Sequence, residues 1–167
     1  MAEQGWGARV ARLARKILGR GRVGRGEATR SYPGDFQGVP TVRCTPNPGN
    51  GTVADPGEIV WTWVPFEEDP RRGKDRPVLV IGHDGRWLLA LPLSSKDHDQ
   101  DRGVVGSPRR HSRWTEIGSG AWDRRGRASA VRVDRILRID PAGVRRQGAV
   151  LDKVRFLQVA AAVRAAA

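Results

Sequence analysis

Cysteine is nearly absent: Cys44 is the single one in 167 residues. No intrachain disulfide can form and no thiol cluster can hold zinc. Long apolar runs are missing too. Nothing approaches the roughly 18 residues of a membrane span, and the residues after Met1 lack the apolar core of a signal peptide, so the cytoplasm is the expected location. The three histidines (His83, His98, His111) are not paired at metal-ligand spacing, so the chemistry is expected to need no metal and no cofactor. Asp97, Asp99 and Asp101 open like a calcium loop. Arg102 stands where the loop needs glycine, however, and Pro108 where it needs its closing glutamate. Gly19, Gly21 and Gly24 match G-x-G-x-x-G but follow a helical stretch instead of linking a strand to one, so the match is a false positive. The sequon Asn50-Gly51-Thr52 is read as chance without a secretory signal. Lysine is scarce as well, four of the thirty basic residues, and an Arg-rich, Ala-rich chain is also what a GC-rich genome writes whatever the function.

What is present is positive charge. Thirty Lys and Arg against 18 Asp and Glu leave a formal net charge of +12. Such a surplus attracts polyanions by releasing their counterions, which favours nucleic acid or an anionic membrane surface. The length suits one domain with extensions. Residues 1–18 form the first of these: Trp6, Val10, Leu13 and Ile17 recur at helical spacing, with Arg9, Arg12, Arg15 and Lys16 around the other side. This basic amphipathic helix could lie on a membrane, grip RNA, dock on the main domain, or remain a solvated extension. Residues 19–55, rich in glycine, proline and arginine and with little periodicity, read as a linker.

From residue 56 the texture changes. "EIVWTWV" carries apolar residues on both faces and reads as a strand that is buried on both sides or lines an interface. "FEEDPRRGKD" is a loop by its charge and its breakers. Pro77 to Ile81 and "RWLLALPL" read as antiparallel strands about a hairpin turn at Asp84-Gly85. "HSRWTEIG" is a further strand, and "SAVRVDRILRI" is one that bends after Asp134. Asp152 is an N-cap, Leu151 and Phe156 form a hydrophobic staple, and Val154, Leu157 and Val159 to Val163 supply the stripe of a C-terminal helix. The fold class is α+β: short strands in hairpins as a small barrel or half-barrel, then one helix.

The hairpin suggests a site. With its turn at Asp84-Gly85, the start of one strand and the end of the next lie side by side, which brings Arg76 and the Ser94-Ser95 pair to one rim. A guanidinium offers a planar fork of donors matched to phosphate, and a hydroxyl can hold a second oxygen. The pairing suits phosphodiester binding and RNA cleavage, since RNA supplies its own nucleophile in the 2′-hydroxyl. The competing structural reading pairs Arg76 with Glu67, Glu68 or Asp134 at a barrel rim. His98, four residues after Ser94, is a candidate for proton transfer or a solvated loop residue. Trp61, Trp63 and Trp87 are read as core or dimer-interface residues, whereas Trp114 and Trp122 are the better candidates for contact with bases.

Three blocks in order, "PGEIVWTWV", "GKDRPVLVI" with "LALPLSSK", and "SAVRVDRILRID", resemble the PemK/MazF family of toxin endoribonucleases. The resemblance runs from about Pro56 to Val163. It implies an SH3-like β-barrel with a C-terminal helix, here preceded by a basic N-terminal extension. It also implies a homodimer, metal-free cleavage of single-stranded RNA to a cyclic phosphate and a 5′-hydroxyl, and a cognate antitoxin that occupies the RNA groove. Arg76 matches the family's catalytic arginine and Ser94 its catalytic hydroxyl, with Ser95 beside it. Arg71, Arg72, Lys74 and Lys96 are the expected RNA-binding cations around them. Arg71 stands where the family has a loop glutamate, so Glu67, Glu68 or Asp69 would have to substitute, and Asp134-Arg135 stands at its acidic-Gln pair. The alternative is a non-catalytic relative, an SH3-like module that binds RNA or protein.

Overall fold

The computed structural model describes residues 32–95 and 113–167. The expected helix over 1–18, the glycine motif, Lys96, His98 and the Asp97–Asp101 run lie outside the described residues. The elements are β1 (Glu58–Pro65), β2 (Gly73–Asp84), β3 (Trp87–Ser94), β4 (Trp114–Gly118), β5 (Ser129–Arg132) and β6 (Leu137–Ile139). A 3-10 turn (Pro141–Gly143), β7 (Arg145–Val150) and α1 (Lys153–Ala166) follow. The seven strands form one sheet in the order β4-β5-β3-β2-β1-β7, with β6 also on β3, and every pairing is antiparallel. The protein is α+β with a C-terminal helix, as expected. Among the described residues no ladder joins β4 to β7, so the sheet is a half-barrel with open edges.

β2 and β3 are apolar almost without alternation because both of their faces are covered. Leu79, Ile81, Leu89 and Leu91 pack on one side with Phe156, Val159 and Val163 of α1. Val78, Val80, Leu88 and Ala90 pack on the other with Leu137 and Ile139 of β6. The helix starts where its cap predicts: Asp152 accepts a hydrogen bond from the Arg155 amide at 3.0 Å, and the staple residues Leu151 and Phe156 are both buried.

The hairpin is offset from the expected one. Asp84 pairs with Trp87, so the two-residue loop is Gly85-Arg86, with Gly85 at φ 58° supplying the left-handed conformation such loops need at their first position. A register shift between Val80 and Gly82 follows. The shift absorbs Ile81 as a bulge residue, and Gly82 sits so close to the Thr41 carbonyl that a Cβ there would lie 2.8 Å from it. In β1, Ile59, Val60 and Val64 are buried as expected, but Trp63 is 51% exposed and Trp61 half-buried. β7 was not foreseen: "RRQGAV" has no alternation, and Gly148 takes φ 73° beside the register break at Ile59/Val60.

Residues 32–55 have no strand or helix, as a linker would, yet they pack on the domain. Phe36, Val42 and Cys44 lie against the main core and Tyr32 against the second. The Phe36 amide donates to the Ile136 carbonyl at 2.7 Å. Arg135, itself buried, donates Nε to Asp35 at 2.9 Å and Nη2 to the Pro65 carbonyl at 3.0 Å, and the Tyr32 hydroxyl bonds Asp35. Burial first, then the Asp35 carboxylate, pushes the Tyr32 phenol well above its usual range.

Candidate RNA-binding groove

β3 parts from β2 at a defined place. The last pair of their ladder is Val78–Pro92; beyond it Leu93 and Ser94 pair with Val131 and Ala130 of β5. Neither Pro77 nor Pro92 has an N–H to give to a ladder, and the strands separate between them. The gap is a groove of about 330 Å³. Lys74, Arg76 and Pro77 of β2, Ser94-Ser95 at the end of β3, and Trp61 line it on one side, and Trp122, Asp123 and Arg127 of the β4–β5 connection with Ser129 of β5 line it on the other. Arg76 and Ser94 therefore face one cavity.

The electrostatics of Arg76 are unusual. Its side chain is half-buried, and its Nε is enclosed without a hydrogen-bond partner. The structural alternative assigned it to Glu67, Glu68 or Asp134, but Arg132 takes two of these, donating to Glu67 at 2.7 Å and to Asp134 at 3.0 Å. The two groove carboxylates are also taken: Asp75 by Arg145 and Asp123 by Arg127 at 2.7 Å. Burial lowers the Arg76 pKa, and the nearby positive charge of Arg135 lowers it further. Arg76 thus sits partly desolvated with no anion among the described residues to balance it, whereas buried polar groups ordinarily have partners.

The other expected residues divide. Lys74 and Ser95 line the groove with Arg76 and Ser94. Glu67 and Glu68 are exposed in the β1–β2 loop and do not line it. Arg71, in the same loop, turns back onto Asp69 through Nε at 3.0 Å and Nη2 at 3.3 Å. These bonds hold the Asp69 carboxyl below its usual range. Arg72 lies over the Phe66 ring at 5.9 Å, so neither arginine reaches the groove lining. Trp122 corrects the expectation of a base contact: it is 5% exposed and donates Nε1 to the Ser129 hydroxyl at 3.1 Å, which makes it wall rather than platform. Trp114 is half-buried on β4 and outside the lining. Among the described residues no cluster of His, Cys, Asp and Glu could hold a metal.

Sequence reasoning missed Asp123, Arg127 and Ser129. The signal was present in Asp123-Arg124-Arg125-Gly126, with Asp first and Gly fourth as type I turns prefer, and the Gly126 amide does donate to the Asp123 carbonyl at 2.8 Å.

The family model of the PemK-like, MazF-like toxins of type II toxin-antitoxin systems matches residues 55–167. The chain belongs to that family. PemK/MazF toxins are typically endoribonucleases. Among solved structures, a crystal structure of MazE-MazF from Deinococcus radiodurans is similar, with 19% identity and a TM-score of 0.45, over 69% of this chain and 96% of that one. No curated protein matches the chain significantly. The residues that carry the PemK/MazF resemblance serve different purposes. Gly57, at φ 105°, donates its amide to Val80 O at 2.9 Å and accepts from the Leu151 amide at 2.9 Å. Glu58 is buried and accepts from the Asp55 amide at 2.6 Å and from Arg146 Nε at 3.0 Å. Those two residues brace the sheet, and Asp134-Arg135 does the same through Arg132 and Asp35. Lys74, Arg76, Ser94 and Ser95 of the same blocks instead line the groove.

Proposed function

We propose that this PemK/MazF-family chain is a metal-independent endoribonuclease that cleaves single-stranded RNA as the toxin of a toxin-antitoxin pair. The observation that carries the reading is Arg76, a half-buried guanidinium with an unpartnered Nε in a groove it shares with Ser94, Ser95 and Lys74. A phosphodiester supplies the missing acceptors. Its 2′-oxygen attacks the adjacent phosphorus and loses its proton to solvent, the bond to the 5′-oxygen breaks, and a cyclic phosphate and a 5′-hydroxyl result. Arg76 balances the charge that builds on the phosphorane. Its burial-lowered pKa makes it the better proton donor to the departing oxygen. Ser94, with Ser95 beside it, holds a non-bridging oxygen, and Lys74 adds charge along the strand.

The same open groove is where a cognate antitoxin would compete with RNA, by filling it with an acidic segment that meets Arg76. A homodimer is proposed, with the exposed Trp63 of β1 at its interface. Action in the cytoplasm accords with the substrate, and no described helix is long and apolar enough to cross a membrane.

The test is to incubate the purified chain with mixed-sequence single-stranded RNA in EDTA. Fragments ending in cyclic phosphate are expected from wild type and not from Arg76→Ala. A specific observation favours a second reading, a binding module without catalysis: among the described residues the groove holds no unpaired carboxylate to act as a base, because Asp75 and Asp123 are both ion-paired. Binding of RNA without any cut would establish it.

A further inference from the structure

Resting on the RNA reading above, we propose that Arg127, braced from behind by Asp123, is a second phosphate-gripping residue. It would hold the RNA backbone at a nucleotide next to the one over Arg76. The connection from β4 to β5 is built to present this side chain. Two turns follow one another, the Asp123 amide donating to Gly120 O at 3.1 Å and the Gly126 amide to Asp123 O at 2.8 Å. Gly126 has φ 64°, and Gly120 is roofed by the Trp122 ring so closely that a Cβ would lie 2.1 Å from it. Trp122 is pinned in turn to Ser129. Each of these features fixes the loop against the groove.

The Asp123 carboxylate is the hub. It accepts from the backbone amides of Arg125 at 3.0 Å and Arg127 at 3.3 Å, and from the Arg127 guanidinium through Nε at 2.7 Å and Nη2 at 3.5 Å. The carboxylate is 11% exposed, the arginine 52%. Asp123 therefore occupies the Nε–Nη2 edge of the fork, and the Nη1–Nη2 end is left without a partner among the described residues. That end matches two oxygens of a phosphate. A guanidinium already held by a carboxylate loses less freedom when it binds, so the brace favours the second contact. Asp75 and Arg145, the other ion pair at the groove, differ: there only the carboxylate lines the cavity.

Asp123 and Arg127 together are neutral, and this makes the inference testable apart from general charge. Removing both leaves the net charge of the protein unchanged and deletes the guanidinium contact, while the carboxamide that replaces the Asp123 carboxylate keeps a side-chain oxygen that can accept from the Arg125 and Arg127 amides. The experiment measures binding of a short single-stranded 2′-O-methyl RNA, which cannot be cut, across a range of salt concentrations. It compares wild type with the double variant Asp123→Asn/Arg127→Gln. Affinity should fall about tenfold, the scale of one lost charge-assisted hydrogen bond, and equally so for RNAs of different sequence, while the slope of log affinity against log salt changes by less than the roughly 0.7 of an uncompensated phosphate contact. On the unaltered protein, phenylglyoxal should modify Arg127 in the free state and be blocked from it by the same RNA. An unchanged affinity, or Arg127 equally reactive with RNA bound, overturns the inference while leaving the RNA reading in place. Wild type that binds no RNA overturns both.

Discussion

Two half-buried arginines, one on β5 and one on β2, are in opposite electrostatic states. Arg132, where β5 turns toward β6, grips both Glu67 and Asp134. Although burial alone would depress its pKa, these partners together raise it. Arg76, at the start of β2, has no carboxylate among the described residues, and burial and a second arginine lower its pKa. A satisfied cation stabilises the fold it sits in. An unsatisfied one costs free energy that only a ligand recovers. The family's acidic position at Asp134 thus serves architecture, and the neighbouring groove is left open for an anion.

The contrast is broken or sharpened by substitution at each of these sites. Arg76→Ala should lower RNA cleavage by about 100- to 1000-fold, the scale of removing one donor from a transition-state charge. Its thermal unfolding midpoint should be unchanged or higher, and a clear fall in that midpoint would show that Arg76 is structural. Arg132→Ala should do the reverse, lowering stability by about 1–2 kcal/mol, as expected for charged hydrogen bonds lost at a partly exposed site, with cleavage per folded molecule retained. Denaturant titration and a cleavage assay on the same sample separate the two. Glu67→Gln should matter least of the three, by less than about 1 kcal/mol as an exposed pair, with cleavage within about twofold. A large loss of activity there would mean that Glu67 reaches the groove after all.

Acid provides the mildest test. Hydrogen bonds from Arg127 and from the Arg125 amide hold the Asp123 carboxyl below its usual range. Its support of the β4–β5 loop is therefore fully present above the ordinary carboxylate pKa of about 3.9 and is lost as pH falls through the lower folded value. Amide exchange at Arg125 and Arg127, corrected for its intrinsic pH dependence, should accelerate only in that acid range, and not between neutral pH and pH about 5.

The meeting of Arg76 with Ser94 was legible because a two-residue hairpin loop is a local code that fixes cross-strand neighbours. The sequence reading put that loop one residue early, at Asp84-Gly85 instead of Gly85-Arg86, and had no means of seeing the bulge at Ile81 that shifts the register back. The later loop moves cross-strand partners by two positions and the bulge returns one, so the rim residues still meet to within one position. The helix was legible for the same reason, since Asp152 and the Leu151–Phe156 staple act within one turn. What stayed hidden is non-local. The arginine–carboxylate links that pin residues 32–55, such as Arg135 to Asp35 one hundred positions away, leave no periodic trace in either segment. The groove's far wall was hidden likewise, because Asp123 and Arg127 stand beside Arg76 only once β3 has left β2 for β5.

The central claim is that the Arg76 guanidinium is the seat of an RNA phosphate, and its own Nε–H reports on it. The most direct measurement follows the Arg76 Nε–H resonance by NMR while an uncleavable 2′-O-methyl RNA is added. The account predicts a shift, and slower exchange with solvent, that saturate in step with RNA binding. A resonance that stays in place while the RNA binds would contradict it.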